Sequence, residues 1–239
     1  FYKDKNLCAI NLFDFSYYIE IIKNTPARPY QIFKCIFDIH DGKNLNNKPT
    51  KNLPYLPYTY KHILIENGFL KIQPIYEINT GSDNVTQNYT SAKIMTKDKF
   101  PIDINSRVTI CFKLPEGTGL WPAVWMLPFD NSPWPSGGEI DLIEAKGRSY
   151  PIDGSPGQSN IISSAVHFGT QWPDHKYIVN EFYSSIENNY QDFFHSVTLI
   201  FQNNKIDIYV NDETTPHLSV DPSIYPLNQY TYPFNRQFY

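Results

Sequence analysis

Apolar and polar residues alternate with period two along several short segments, which is the pattern of half-buried β-strands. Residues 107–114 show it most clearly, with Val108, Ile110, Phe112 and Leu114 alternating against Thr109, Cys111 and Lys113. Residues 62–72 and 195–210 each read as two strands joined by a tight polar turn, and further strands are expected at 91–97 and 160–168. Residues 77–88 read as a polar loop. Short strands between turns, without a clear amphipathic helix, predict an all-β chain folded as a two-sheet antiparallel β-sandwich.

One predicted strand, residues 139–144 (E-I-D-L-I-E), carries three carboxylates among apolar residues. Side chains alternate faces along a strand, so Glu139 and Asp141 share one face. Glu144 lies five positions after Glu139 and would point to the other face of a regular strand. One extra residue in a β-bulge near Leu142 or Ile143 would return it to the first face. The spacing therefore predicts a bulged strand with all three acids in a row.

Such a row suits glycoside hydrolysis. A retaining glycosidase needs one carboxylate that attacks the sugar and a second that protonates the leaving oxygen, about 5–5.5 Å apart. The intervening Asp141 could hydrogen-bond the attacking residue, and close like charges raise one carboxyl pKa, which suits a general acid. The alternative for this hexapeptide alone is a solvent-facing acidic edge strand.

Tryptophans next to the acidic strand favour the first interpretation. Trp121, Trp125 and Trp134 lie within fourteen positions, directly before the acids. Their flat apolar rings with a polar N–H suit the apolar faces of sugars. Trp125 could equally be a core residue. Trp172 follows later in a predicted loop, where it either stacks on a sugar or covers the edge of the hydrophobic core.

The run G-T-G-L-W-P-A-V-W-M-L-P, followed by W-P-S-G-G-E-I-D-L-I-E-A-K-G, closely resembles glycoside hydrolase family 16, in particular its laminarinase type. The match extends from about residue 61 to the end of the chain, whereas residues 1–60 match poorly. The resemblance implies a concanavalin-like jelly roll and endo-β-1,3-glucanase activity. By position it makes Glu139 the nucleophile, Asp141 its assistant and Glu144 the acid/base, and it places His167 in the cleft.

The same resemblance bears on cofactors and partners. The partner it implies is a polysaccharide substrate, and this chemistry needs no organic cofactor. A structural calcium ion is known in the family, but the sequence names no ligands for one and we assign no metal site. Family members continue beyond residue 239 with further core strands. We therefore keep open a second chain that completes the sandwich, and a non-catalytic β-glucan-binding or scaffold protein that retains the fold. Such relatives commonly lose one catalytic glutamate, and both are present here.

Composition narrows the remaining choices. The 239 residues are expected to form a single β-sandwich domain, and the net charge of −4 without a basic run argues against nucleic-acid or anionic membrane partners. Two sequons, at Asn84 and Asn88, favour a secreted glycoprotein. The three cysteines slightly disfavour secretion, because an odd number leaves one unpaired. Cys8 and Cys35 could form a disulfide, and Cys111 would then be a small buried apolar residue.

Overall fold

The computed structural model describes residues 38–41, 62–66, 69–80, 86–115, 120–145, 160–185, 188–212 and 214–239. The chain divides into two compact units, and the described residues up to 100 belong to one of them, while those from 101 onward belong to the other. The prediction that the whole chain is one sandwich domain stays a prediction. Asn84, Cys8 and Cys35 lie outside the described residues.

The described residues of the first unit form three antiparallel strand pairs. Strand β1 (Asp38–Asp41) pairs with β6 (Ala92–Met95), β2 (Ile63–Glu66) with β3 (Phe69–Ile72), and β4 (Ile75–Thr80) with β5 (Thr86–Thr90). The predicted hairpin at 62–72 is confirmed. The predicted loop at 77–88 is wrong, because β4 and β5 cover most of it. The prediction missed these strands because their side chains are largely polar and exposed, so no apolar alternation marks them. They are stabilised by the backbone ladder and by contacts such as the edge-to-face pair Tyr76–Tyr89.

In the second unit, the residues that the structure describes form two four-stranded antiparallel sheets. In the first, β8 (Ala123–Met126), β9 (Glu139–Glu144), β10 (Ile161–Gly169) and β11 (His175–Tyr183) follow one another across the sheet. In the second, β7 (Ser106–Phe112) pairs with β12 (His195–Gln202), which pairs with β13 (Lys205–Val210) and then β14 (Leu218–Val220). The predicted strands at 107–114 and 160–168 and the hairpin at 195–210 are thereby confirmed, and so is the antiparallel sandwich.

A shared apolar core joins the two sheets. Ile140 and Val166 from the first sheet and Leu199 and Ile208 from the second are each fully buried within it. Burying each such side chain contributes about 1.5–3 kcal/mol, so this core dominates the stability of the unit. Since the acids of β9 alternate with these core residues, the core fixes which way they point.

The last residues of the chain seal one margin of this core. Phe238 is fully buried, and its backbone forms bridges with Ile102 and Pro128. The Phe238 amide donates to the Ile102 carbonyl at 3.1 Å, and the Ile102 amide donates back at 2.7 Å. Phe234 stacks on Phe238 and reaches the loop that enters β9, where it lies against Gly138.

Two further observations concern the described residues. Cys111 on β7 is disulfide-bonded, so the interpretation of Cys111 as a small buried apolar residue is wrong. None of the helical segments in the described ranges combines the length and apolarity needed to cross a bilayer.

Candidate active site

Strand β9 carries the predicted bulge. On β10, the neighbouring positions Ser163 and Ala165 are two residues apart, yet they pair with Glu144 and Asp141, which are three apart. The same irregularity occurs against β8, where Val124 pairs with Ile143 and Trp125 with Asp141. The register with β8 makes Leu142 the extra residue, and on the other side the Leu142 carbonyl accepts a hydrogen bond of 2.7 Å from the Ser164 hydroxyl of β10. The bulge turns Glu144 to the face that holds Glu139 and Asp141.

These three acids share a cleft of about 250 Å³ with Trp121, Ala123 and Trp125. Trp121 is 61% exposed and Trp125 is half-buried, so both rings present surface to the cleft. The residues beside Glu144 are small: Ala123 and Ser163 flank it on the two neighbouring strands. A row of acids bordered by small residues and aromatic rings leaves room for a flat, hydroxylated ring such as a sugar.

Asp141 lies at the bottom of the cleft, with 2% of its surface exposed. The nearest basic group is His167 on β10, whose Nε2 lies 2.9 Å from Asp141 Oδ2. Burial by itself would lower the pKa of His167, but the hydrogen bond and charge of Asp141, with the charges of Glu139 and Glu144, outweigh it and raise the pKa. Asp141 and His167 therefore form a pair in which positive charge on the ring is favoured.

Glu139 has a strongly perturbed acidity. Burial first, and then the charge of Asp141, raise the pKa of its carboxyl to about 7, while His167 and a hydrogen bond from Trp134 act in the opposite direction. The sequence suggested a raised pKa for the acid/base residue. Glu139, whose pKa is raised, is the residue that the resemblance makes the nucleophile, which has to be ionised to attack.

Trp121 contacts the third acid of the row. Its indole Nε1 donates a hydrogen bond of 3.0 Å to Oε1 of Glu144. Because an indole N–H can only donate, this contact orients the Glu144 carboxyl with one oxygen held and the other facing the cleft.

The remaining candidate residues form an aromatic group at one end of the row. Trp134 and Trp172 stack with ring centroids 6.0 Å apart, and Trp134 lies 4.6 Å from the ring of His175. Tyr177 lies 5.8 Å from His167. All five predicted sugar-contact residues thus lie near the acids, and His175 and Tyr177 join them.

Sequence reasoning missed His175 and Tyr177 because it did not predict β11. The register of β10 with β11 pairs Gly169 with His175 and His167 with Tyr177. A side chain at Gly169 would collide with the Asp174 carbonyl at 2.0 Å, so glycine permits the close hairpin that returns the chain here. The sequence signal was the glycine followed by the polar turn Thr170–Asp174, with strand-forming residues after it.

No metal centre accompanies these residues. Within the described ranges, no three His, Cys, Asp or Glu side chains converge in a way that could hold an ion. We therefore assign no ligands to a structural calcium ion.

Comparison with known proteins agrees with this geometry. Residues 63–150 match the XgeA-like catalytic domain of glycoside hydrolase family 16. The glucan endo-1,3-β-glucosidase A1 of Niallia circulans is 31% identical over 180 residues, which cover 71% of this chain and 25% of that protein. The β-1,3-glucan-binding protein of Penaeus monodon is 32% identical over 145 residues, which cover 59% of this chain and 38% of that protein. The crystal structure of the endo-β-1,3-glucanase from Pyrococcus furiosus superimposes with a TM-score of 0.64 at 28% identity, covering 75% of this chain and 65% of that one.

The fold and the row of acids define a jelly-roll sandwich of the glycosidase type. The chain is similar to glycoside hydrolase family 16, and in particular to its laminarinase-like members. The match covers 25% of the Niallia circulans protein and 38% of the Penaeus monodon protein, so the chain spans less than half the length of either curated relative.

Proposed function

We propose that the protein is a retaining endo-glycosidase that hydrolyses β-1,3-linked glucan of the laminarin type. The observation that carries the proposal is the bulge at Leu142, which brings Glu139, Asp141 and Glu144 to one face of β9 inside a cleft lined by Trp121 and Trp125. A strand that buries apolar residues on one side and three acids on the other holds charge at a high cost, which chemistry explains better than stability does.

The three acids divide the reaction between them. Glu139 attacks the anomeric carbon and forms a covalent glycosyl-enzyme intermediate. Glu144 protonates the departing oxygen and then removes a proton from the water that hydrolyses the intermediate. Asp141 lies between them in the row. After burial, its charge is the next cause that raises the pKa of Glu139 to about 7, so Glu139 gains and loses its proton near neutral pH, while His167 compensates the charge of Asp141.

Aromatic residues are proposed to hold the glucan. Trp121 and Trp125 border the acids, and Trp134 and Trp172 form a stacked pair near His167. With 61% and 69% of their surfaces exposed, Trp121 and Trp172 have ring area available for a sugar face. The names of the relatives from Niallia circulans and Pyrococcus furiosus support β-1,3-glucan as the substrate class.

A second candidate is a β-glucan-binding protein without catalysis. The similarity to the Penaeus monodon protein favours it, since that protein is named for binding alone. Such a protein would need the aromatic residues and would have no use for the carboxyl groups of Glu139 and Glu144.

Hydrolysis of laminarin by the full chain distinguishes the two candidates. We expect the wild-type protein to release short reducing oligosaccharides, and Glu139→Gln to lose this activity while it still binds insoluble β-glucan. The control is Asp212→Asn, which removes an exposed carboxylate on the turn after β13 in the other sheet and should leave hydrolysis unchanged.

The outcomes separate cleanly. Weak turnover that is the same in the wild type and in Glu139→Gln would reject the enzyme. Retention on β-glucan without any turnover would favour the binding protein. Activity that appears only when a second polypeptide is added would support the prediction of a completing chain.

We also propose that the protein is secreted and N-glycosylated. Asn88 is an exposed residue of β5 with a sequon, and disulfide-bonded Cys111 suits an oxidising compartment. Expression in a glycosylating host should give a mass increase that peptide N-glycosidase removes. An unmodified Asn88 in that host would contradict the proposal for this site.

A further inference from the structure

Two histidines meet beside the acidic row. Nδ1 of His167 lies 2.7 Å from Nε2 of His175, a hydrogen-bond distance, and the two ring planes differ by 20°. The other ring nitrogen of His167, Nε2, lies 2.9 Å from Asp141 Oδ2. His175 is therefore linked to the acids through His167, as the outer member of a chain that runs Asp141, His167, His175.

The hydrogen-bond inventory of imidazole fixes where the protons lie. Toward the Asp141 carboxylate, His167 has to present an N–H on Nε2. In the neutral ring Nδ1 is then an acceptor, so His175 has to donate from its Nε2. When the pair takes up one proton, the proton on His175 Nε2 passes to His167 Nδ1 and the added proton binds His175 Nδ1, so His167 carries N–H on both nitrogens and His175 accepts with a bare Nε2. Two added protons would set N–H against N–H at 2.7 Å, so the pair holds one.

The surroundings of the pair favour placing that proton on His167. His167 faces the charges of Asp141, Glu139 and Glu144, whereas the charged groups that act on His175 are His167 and Lys176. Lys176 is itself paired with Asp174 at 3.0 Å. The rings of Trp134, Trp172 and Tyr177 pack around His175 and carry no charge.

We propose that His175 is a positioning residue of this site, which fixes the tautomer of His167 and accepts its hydrogen bond when His167 is charged. The proposal rests on the proposed function, since the reaction it serves is the ionisation of Glu139 before attack. A cationic His167 that is held by His175 offsets the charge of Asp141 and makes an ionised Glu139 easier to form. His175 itself does not touch the reacting atoms.

The first test does not depend on activity. The full chain is labelled with ¹⁵N-histidine, and the ring nitrogens are followed by NMR from pH 5 to 9, with His175→Phe to assign the His175 signals. We expect neutral His167 to carry its proton on Nε2 and the pair to take up a single proton, mainly on His167. His217→Gln provides the matched control. His217 directly precedes β14, and its ring lies 5.6 Å from Phe182 at the far end of β11 from His175, so its loss should leave the pair's titration unchanged. Neutral His167 protonated on Nδ1, or two independent cations in the folded protein, would overturn the proposal.

The second test compares pH profiles of kcat/KM on laminarin for the wild type, His175→Phe and His175→Gln. Phenylalanine keeps a ring against Trp134 and removes the acceptor, so the acidic limb should move up by about half to one pH unit, the worth of one hydrogen bond. The side chain of glutamine is long enough to place its amide oxygen near His167 Nδ1 and accept the hydrogen bond there, so His175→Gln should restore most of the wild-type profile. A His175→Phe profile that coincides with the wild type, or that moves to lower pH, would refute the role.

The two tests also separate this proposal from the proposed function. Absence of hydrolysis in the wild type would reject the glycosidase, while the titration would still decide whether the histidines share one proton. If His175→Phe did not fold, the titration of the wild-type chain would decide the proposal alone.

Discussion

The indole nitrogen of Trp121 lies 3.0 Å from Oε1 of Glu144 and donates a hydrogen bond to it. Trp121 stands before β8, and Glu144 closes β9 after the bulge, so the contact joins the aromatic part of the cleft to its acidic row. The same ring is 61% exposed, so it presents a surface on which a sugar could lie. Trp121 thus both contacts a proposed catalytic group and offers a surface to the substrate.

Replacing Trp121 with phenylalanine separates these two roles. Trp121→Phe keeps an apolar ring and removes the donor, so we expect kcat on laminarin to fall about ten-fold, as a charge-assisted hydrogen bond of about 1.5 kcal/mol would give, with a smaller change in KM. Trp121→Ala should in addition raise KM. Steady-state kinetics of both variants test this, and an unchanged kcat in Trp121→Phe would show that the hydrogen bond does not serve the reaction.

The acid role of Glu144 depends on the leaving group. Glu144→Gln should lower kcat on laminarin by about 10²–10⁴-fold, because the departing sugar oxygen then leaves without a proton. With an aryl β-glucoside whose phenol is strongly acidic, cleavage of the first bond needs no proton and the loss should be much smaller. Burst kinetics on the aryl substrate would show the intermediate accumulating. Equal losses on the two substrates would remove Glu144 from the acid role.

The pH dependence should follow Glu139. Its pKa is raised to about 7, first by burial and then by the charge of Asp141, and only the ionised form attacks. We therefore expect kcat/KM to fall as the pH drops through about 7. Asp141→Asn removes the neighbouring charge and should move this limb to lower pH, whatever its cost in rate, whereas His167→Gln removes a compensating charge and should move it to higher pH. If the acidic limbs of the two variants shifted in the same direction, or did not shift, this electrostatic account would be contradicted.

The bulge at Leu142 can be tested by deletion. Removing Leu142 converts E-I-D-L-I-E into E-I-D-I-E, in which the acids alternate regularly and share a face without a bulge. We expect the variant to fold and to keep measurable hydrolysis, although it loses the Ser164 contact with the Leu142 carbonyl.

Deleting Ile140 is the matched control. It also shortens β9 by one residue, but it sets Glu139 and Asp141 on opposite faces and turns a carboxylate toward the core. An unpaired buried charge costs several kcal/mol, so this variant should show a much lower melting temperature and no activity. Similar melting temperatures for the two deletions would contradict the assignment of the faces.

Much of the site followed from spacing along the chain. The five-residue separation of Glu139 and Glu144 predicts an extra residue, and the structure confirms it at Leu142. Alternation predicted the strands of the second sheet because their inward residues, such as Val197 and Leu199, are fully buried. Periodicity reports burial, so it works where one face of a strand lies on the core.

It fails where apolar residues also occupy the outer face of a strand. Edge strand β11 packs Ile178 and Phe182 against the core, but its outward Tyr177, Val179 and Tyr183 are apolar or aromatic too, so the alternation is hidden and the strand was not predicted. The contact of His167 with His175 depends on that strand and on the close turn at Gly169. The acidity of Glu139 likewise depends on burial and on neighbours, which spacing alone does not give.

The most direct test of the central claim is the stereochemistry of the first product. A β-1,3-glucan oligosaccharide is hydrolysed by the wild-type chain in the NMR tube, and the anomeric signals are recorded before mutarotation. Attack by Glu139 followed by water inverts the anomeric carbon twice, so the account predicts that the β-anomer appears first. Initial release of the α-anomer would mean a single displacement by water and would contradict the role of Glu139 as the nucleophile.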